Sequence, residues 1–438
     1  MSIISLSLKV TIINRNNLFM PKDTQIGGMS VDKLNYIDQF LQENYLDTNK
    51  FNGFVTGIFR KRKLVHSSAL GFMDKELNKP MSRDTIFRIY SMTKPITSVA
   101  LMQLYEKGLF QLDDPVSKYI ESFENLKVYV SGDQNSFVTQ DTIRRMTIHD
   151  LLTHQAGFTY GLTRITEVDA AYQDLGLVFA DAPMQEKIKL LTELPLEFQP
   201  GSHWNYSIAT DVCGYLVELF SGKSLDQYFL DEIFDPLNMI DTSFHVSDTK
   251  IDRLAANYEF QPFGPPIRTD NPIYGNFTSP PQFLSGGSGL LSTLDDYLHF
   301  CQMILNKGVY KGKRLLSRKT IELMSQNHLI DKTDPNSQLL WSNSDLRERG
   351  FTGGNDARYY WNQGGVGFGL GFSVLINPAT SQAAGSVGEL SWGGWASTTF
   401  WIDPVEDLIV ILLTQLLPSD SYNVRRELKS LVYSAIED

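Results

Sequence analysis

Cysteine is nearly absent from this 438-residue chain: Cys213 and Cys301 are the only two. Two lone thiols supply neither a disulfide framework nor the paired spacing of a metal site. The seven histidines include no pair at zinc-ligand spacing either. No metal and no cofactor are expected, and a reducing, cytoplasmic compartment fits. Positive charge is also short, 39 Lys+Arg against 50 Asp+Glu for a formal −11. Nucleic acid and anionic membrane surfaces call for a basic face, which this balance argues against. The one basic cluster, Arg60-Lys61-Arg62-Lys63, lies between two apolar runs and reads as a solvated hairpin tip. Long hydrophobic runs are missing as well. The longest, Leu408 to Leu413 with a continuation to Leu417, is too short for a bilayer and suits a buried strand. The opening residues Met1 to Lys9 carry no basic leader and no A-x-A-like site, so no signal peptide is expected, and residues 1–28 read as a loose tail.

What is present is the composition of a large globular protein. A hydrophobic share of 42% with 20% charged residues excludes disorder, and 32 Gly with 18 Pro indicate many turns. Residues 31–46 have the periodicity of an amphipathic helix and residues 51–72 that of a β-hairpin. From Leu112 to about residue 285 the strand signal fades into short helical patterns and Pro/Gly/Asn-rich connections, notably 258–284. It returns at Gly369 to Leu375, Gly385 to Ser391, Thr398 to Ile402 and Leu408 to Thr414, before a last helix over about 421–436. The simplest assembly is an α/β protein of the α+β type. Residues 29–120 and 286–438 form one lobe, an antiparallel sheet flanked by the terminal helices, and residues 121–285 form a second, mostly helical lobe.

The stretch Phe87-Arg88-Ile89-Tyr90-Ser91-Met92-Thr93-Lys94 reads as a strand breaking into a helix at a serine. Residues three apart share a helix face, so Ser91-x-x-Lys94 puts a hydroxyl beside an amine. The orphan N–H groups of a first helical turn point the same way. The same spacing occurs at Ser30/Lys33 and Ser247/Lys250. Ser30 precedes an apolar-periodic run and reads as an N-cap; Ser247 sits in a polar turn. At this level Ser91 itself is open to both readings, cap and nucleophile, and partners elsewhere must decide.

A G-x-S-x-G elbow is absent; Gly286-Gly287-Ser288-Gly289-Leu290 misses at its last position. His154, at the end of Thr147 to His154, reads as a helix-terminal structural residue. Trp204-Asn205-Tyr206-Ser207 follows a Gln-Pro-Gly-Ser turn and precedes a helix, which would hold Tyr206 at a junction. A phenol beside a lysine ammonium has its phenolate favoured and can shuttle a serine proton; a core tyrosine is the plainer reading, with 19 Tyr present. Leu390 to Thr398 is a strand interrupted by Gly393-Gly394, either an ordinary bulge or a close approach of another group. In the second case a backbone N–H just after the glycines can serve an oxyanion.

Taken in order, Ser91-Met92-Thr93-Lys94, Leu112-Asp113-Asp114-Pro115, His149 to Gly157, Trp204-Asn205-Tyr206-Ser207, Gly286 to Thr293 and Ser391-Trp392-Gly393-Gly394 resemble the serine β-lactamase-like enzymes. Within that group the similarity is to the family VIII carboxylesterases, related to class C β-lactamases and penicillin-binding proteins. The resemblance implies a β-lactamase/transpeptidase-like fold and Ser91 as acylated nucleophile. It implies Lys94 and Tyr206 as the proton-handling pair, and an oxyanion hole from the backbone N–H groups of Ser91 and Trp395. Trp392, Gly393 and Gly394 stand for the K-T-G strand, and with Tyr90 and Ile208 they would contact substrate. Two departures bear on substrate. Tyr206-Ser207-Ile208 lacks the amide of Tyr-x-Asn, and Trp392 replaces a carboxylate-pairing lysine. A short-chain carboxylic ester fits this pattern better than an anionic lactam. An acyltransferase shares the same acyl-enzyme; a β-lactamase or D-alanyl peptidase and a non-catalytic binding protein are the remaining alternatives. A small-molecule ester, no nucleic acid, no membrane span, and a monomer or homodimer complete the expectation.

Overall fold

The computed structural model describes residues 25–162, 164–177, 180–269, 277–329 and 364–438. Of the tail expected over residues 1–28, residues 1–24 lie outside the described residues. Gln25–Ile26 is already structured, paired antiparallel with Met29–Ser30.

Seven helices and eight strands position the site. The helices are α1 (Val31–Leu41), α2 (Thr93–Glu106), α3 (Ile148–Leu152), α4 (Met184–Glu193), α5 (Ala209–Ser221), α6 (Leu294–Leu305) and α7 (Val424–Ser434). The strands are β1 (Gly53–Arg60), β2 (Lys63–Asp74), β3 (Lys79–Pro80), β4 (Val366–Phe368), β5 (Ser373–Leu375), β6 (Leu390–Gly393), β7 (Thr399–Asp403) and β8 (Leu408–Leu413). They form one antiparallel sheet in the order β4-β5-β6-β7-β8-β1-β2-β3, so the N-terminal hairpin pairs with the last long strand, Val55 opposite Leu413.

Strand β8 explains the layering. Every residue of Leu-Ile-Val-Ile-Leu-Leu is buried. Leu408, Val410 and Leu412 face an apolar cluster with Leu34, Ile37 and Leu41 of α1 and Val424, Leu428 and Val432 of α7. Ile409, Ile411 and Leu413 face the main core with Leu294, Tyr297 and Phe300 of α6. Period-two alternation thus serves two apolar faces, each fully buried Leu or Ile contributing roughly 1.5–3 kcal/mol. Helix α2 is buried along nearly its whole length, Thr93 to Leu104, and packs against α5.

Four local expectations change. Of the strand expected over Gly385 to Ser391, only Leu390 and Ser391 are in a strand, β6. The basic cluster is not wholly a solvated tip. Lys61 and Arg62 occupy the turn with positive φ, as a two-residue hairpin loop requires, but Arg60 is buried and paired with Glu406 and Asp438 at 2.7 Å each. The strand expected over Gly369 to Leu375 is a hairpin, β4 and β5, turned by Gly371 at φ +97° where a Cβ would lie 2.2 Å from the Ser98 hydroxyl of α2. Within the segment expected to be mostly helical, Lys127–Asp133 and Ser136–Asp141 form a hairpin that the fading strand signal gave no reason to expect. Its residues are mostly exposed, so they lack the apolar alternation that marks a strand packed on a core. Among the described residues no helix is long and apolar enough to cross a membrane.

Candidate active site

Phe87–Arg88 pairs with Leu291–Ser292, and the chain then bends sharply. Tyr90 takes φ +43°, unusual for a bulky non-glycine residue. Its ring is locked edge-on against Phe277 and Trp395, and its hydroxyl accepts a hydrogen bond from Asn257 at 3.2 Å. Ser91 follows in a short 3₁₀ turn, Tyr90–Met92, that feeds directly into α2. The helix does not start at Ser91, yet the turn and helix together still bring Ser91 and Lys94 to one side.

Lys94 is 1% exposed. Its Nζ lies 3.2 Å from Ser91 Oγ, 2.8 Å from the Tyr160 hydroxyl and 2.7 Å from the Gly287 carbonyl. Burial lowers its pKa to about 7 against the opposing pull of Asp211, because an ammonium loses its hydration while a neutral amine loses little. A neutral amine has two hydrogens and one lone pair. The Gly287 carbonyl and Tyr160 oxygen can take the two hydrogens, which leaves the lone pair for Ser91.

Tyr206 donates to Ser91 Oγ at 2.6 Å. Its ring stands 5.0 Å from that of Tyr160 and 5.6 Å from Trp392, with Lys94 Nζ 4.6 Å from its centroid. The phenolate expected from lysine proximity is overturned. Burial dominates and raises the Tyr206 pKa well above the usual phenol range, only partly offset by hydrogen bonding with Ser91, Tyr160 and Trp392. A lysine that is itself half neutral near pH 7 supplies too little charge to reverse this. Tyr206 therefore stays protonated at neutral pH.

The glycine strand closes the opposite side. A Cβ on Gly394 would lie 2.4 Å from the Ile89 carbonyl oxygen, so β6 can press against the Tyr90–Ser91 bend only without a side chain there. The turn beyond it is held by Gly394 N–H to Thr398 O at 2.9 Å and by buried Arg425 of α7, which donates to the carbonyls of Gly394 and Thr398 at 2.8 Å each. Trp395 sits within this turn. A Cβ on Gly393 would meet the Arg425 guanidinium. Trp392 is 2% exposed, with Phe368 at 5.2 Å on its other side. Ile208, just before α5, is buried in the main core. The structure thus gathers Ser91, Lys94, Tyr206 and Trp392 around one point and presses Gly394 against the bend beside it, while the Tyr90 ring turns into the cluster with Phe277.

His154 follows the C-cap of α3, Thr153, with φ +57° and lies in the wall, its Nδ1 3.3 Å from Ser207 Oγ and its ring 5.1 Å from Tyr206. Burial, with Lys94 nearby, keeps it neutral. Sequence reasoning missed Tyr160, Gly287 and Asp211. Tyr160 carried one usable signal, a loop position bracketed by Gly157 and Gly161, both at positive φ. Tyr160→Phe removes a buried partner of Lys94, a loss of about 1.5 kcal/mol. The expected result is a roughly tenfold lower kcat/KM with little change in Tm; a rate within about twofold of the parent would make Tyr160 a bystander.

A model of the Beta-lactamase family matches residues 37–433. Protein Rv1367c of Mycobacterium tuberculosis is 34% identical over 385 residues, covering 85% of this chain and 88% of that protein. Esterase EstB of Burkholderia gladioli is 28% identical over 400 residues, covering 86% and 88%. Among solved structures, EstCE1, described as a hydrolase with promiscuous acyltransferase activity, superimposes with a TM-score of 0.73 at 25% identity over 93% of this chain and 99% of its own. The described fold is accordingly the β-lactamase/transpeptidase-like one. A family model that spans residues 37–433, together with a relative one-third identical over most of the same stretch, places this chain in the Beta-lactamase family.

Proposed function

We propose that the protein is a serine hydrolase that cleaves short-chain carboxylic esters through an acyl-enzyme on Ser91. The observation that carries this reading is the triangle of Ser91 Oγ, Lys94 Nζ at 3.2 Å and Tyr206 Oη at 2.6 Å. Neutral Lys94 takes the Ser91 proton as Oγ bonds to the ester carbonyl carbon. The tetrahedral oxyanion is met by the backbone N–H groups of Ser91 and Trp395. As the C–O bond to the alcohol breaks, Tyr206 gives its proton to the departing oxygen and is reprotonated by Lys94. Water then attacks the acyl carbon, loses a proton to the same pair, and Ser91 leaves as the restored hydroxyl.

Esters are favoured over anionic lactams because β6, Leu-Ser-Trp-Gly, carries no cationic side chain. Trp392 puts an aromatic ring there instead, packed between Tyr206 and Phe368. The test is a panel of p-nitrophenyl esters beside a chromogenic cephalosporin, assayed from about pH 5.5 to about pH 9. The expected outcome is kcat/KM for acetate or butyrate esters at least about 100-fold above that for the cephalosporin. Because the deprotonated amine is the active form, kcat/KM should rise through about pH 7. A preference for the cephalosporin, or a profile flat through neutrality, would overturn the assignment. EstCE1's described acyltransferase activity favours a second reading, in which an alcohol replaces water at the acyl-enzyme. Adding a primary alcohol and measuring the new ester against free acid separates the two.

A further inference from the structure

Asp211 is a buried carboxylate, 6% exposed, in the first turn of α5. It accepts hydrogen bonds from the Ser285 hydroxyl at 2.6 Å and the Gly287 N–H at 2.9 Å. A Cβ on Gly287 would sit 2.8 Å from its oxygen, so this approach demands glycine. The loop it holds is strapped to α2 on both sides of Lys94. Leu290 N–H donates to Thr93 Oγ1 at 3.1 Å, and Thr97 donates to the Gly286 carbonyl at 2.6 Å. Between these straps the Gly287 carbonyl meets Lys94 at 2.7 Å.

We propose that Asp211 is a positioning residue for the Ser91–Lys94–Tyr206 site: it fixes the Ser285–Leu290 loop so that Gly287 offers its carbonyl to Lys94, and its charge is the buried counter-charge for the ammonium formed whenever Lys94 accepts a proton. This rests on the reading of Lys94 as the base. The other titratable groups facing Lys94 are the phenols of Tyr160 and Tyr206 and the imidazole of His154, all neutral at pH 7 because burial disfavours their charged forms. Cys213, two residues further along α5, is a neutral thiol. Lys187 on α4 also feels the Asp211 charge, but its Nζ is committed to the Leu177 carbonyl at 2.7 Å. Asp211 is thus the one anion acting on Lys94 in this set, and its influence is to raise the Lys94 pKa against burial.

The sign follows directly. Removing the charge makes Lys94 a weaker base, so the deprotonated form persists to lower pH. Asp211→Asn retains an oxygen for the Gly287 N–H while deleting the charge. The readout is the rate at which a fluorophosphonate probe labels Ser91, followed by intact mass across pH, with peptide mapping of the adduct. For Asp211→Asn the acid limb should move down by about half to one pH unit and the plateau rate fall by about tenfold. An unmoved limb, whether the plateau falls or not, would reduce Asp211 to a structural residue and overturn the proposal. Ser285→Ala keeps the charge but releases the loop. Its limb should stay in place while the plateau falls at least about threefold; a plateau equal to that of the parent would overturn the loop-holding role even if the Asn variant does not fold. Labelling that persists in Ser91→Ala, or maps to another residue, would instead sink the underlying assignment of Ser91, which separates the two failures.

Discussion

Ser91→Ala should lower ester turnover by about 10³-fold or more while leaving the fold intact. The loss is that large because no other hydroxyl among the described contacts of Lys94 can take its place. The Tyr160 and Tyr206 phenols are held well above their usual pKa by burial, and a neutral phenol is a poor nucleophile. The fold should survive because Ser91 is only half buried and its hydroxyl meets polar partners that can turn to one another: Tyr206 and Tyr160 both lie within reach of Lys94. The measurement is kcat on the best p-nitrophenyl ester, with Tm recorded beside it. Residual activity within about tenfold of the parent would remove Ser91 from the reaction. Ser30→Ala is the matched control. Ser30 stands at the N-cap of α1, its hydroxyl accepting from Lys33 N–H at 3.5 Å, so its loss should cost roughly 1 kcal/mol of stability and nothing in rate.

Lys94→Ala and Tyr206→Phe should each cut kcat by about 10²- to 10⁴-fold, the range of a positioned acid or base. The double variant should fall no more than about tenfold below the worse single one, because both groups handle the same proton. Once Lys94 is gone, Tyr206 can still donate to the leaving alcohol but has no partner to reprotonate it. Once the phenol is gone, Lys94 protonates the alcohol only from its longer position. A double variant whose loss equals the product of the two single losses would assign the residues to independent steps. Lys94→Ala also opens a cavity in α2 and strands the Gly287 carbonyl, so its Tm should drop. Lys94→Met fills the space without an amine and separates packing from chemistry.

How much of this could be read from the chain depends on the length scale of the signal. The antiparallel sheet was legible because its long strands are apolar runs with clear breaks, and β8 shows why. A strand buried on both faces leaves a continuous Leu/Ile/Val run. Ser91 and Lys94 were legible because a three-residue spacing fixes geometry within one turn. Tyr206 was reached through its junction between a turn and α5, but its ionisation was misjudged, since it is packed against Trp392 and Tyr160, which come from two distant segments. Arg60 was misread for the same reason: its partners Glu406 and Asp438 are at the far end of the chain. Tyr160, Gly287 and Asp211 left only weak local traces. Each acts through hydrogen bonds to residues distant in sequence, and no periodicity records that.

The pairing of Val55 with Leu413 has a consequence for biogenesis. A ribosome releases the β1–β2 hairpin early, yet the strand that completes the middle of the sheet emerges last. At about 5–20 residues per second, tens of seconds separate the two. Throughout that interval the β1 edge, Gly-Phe-Val-Thr-Gly-Ile-Phe-Arg, exposes unpaired backbone and apolar side chains to any other nascent strand. Contacts of such high sequence separation also fold slowly. The chain is therefore most vulnerable to aggregation while it is being made, and a chaperone that shields the β1 edge until β8 arrives should raise its soluble yield without altering the finished enzyme.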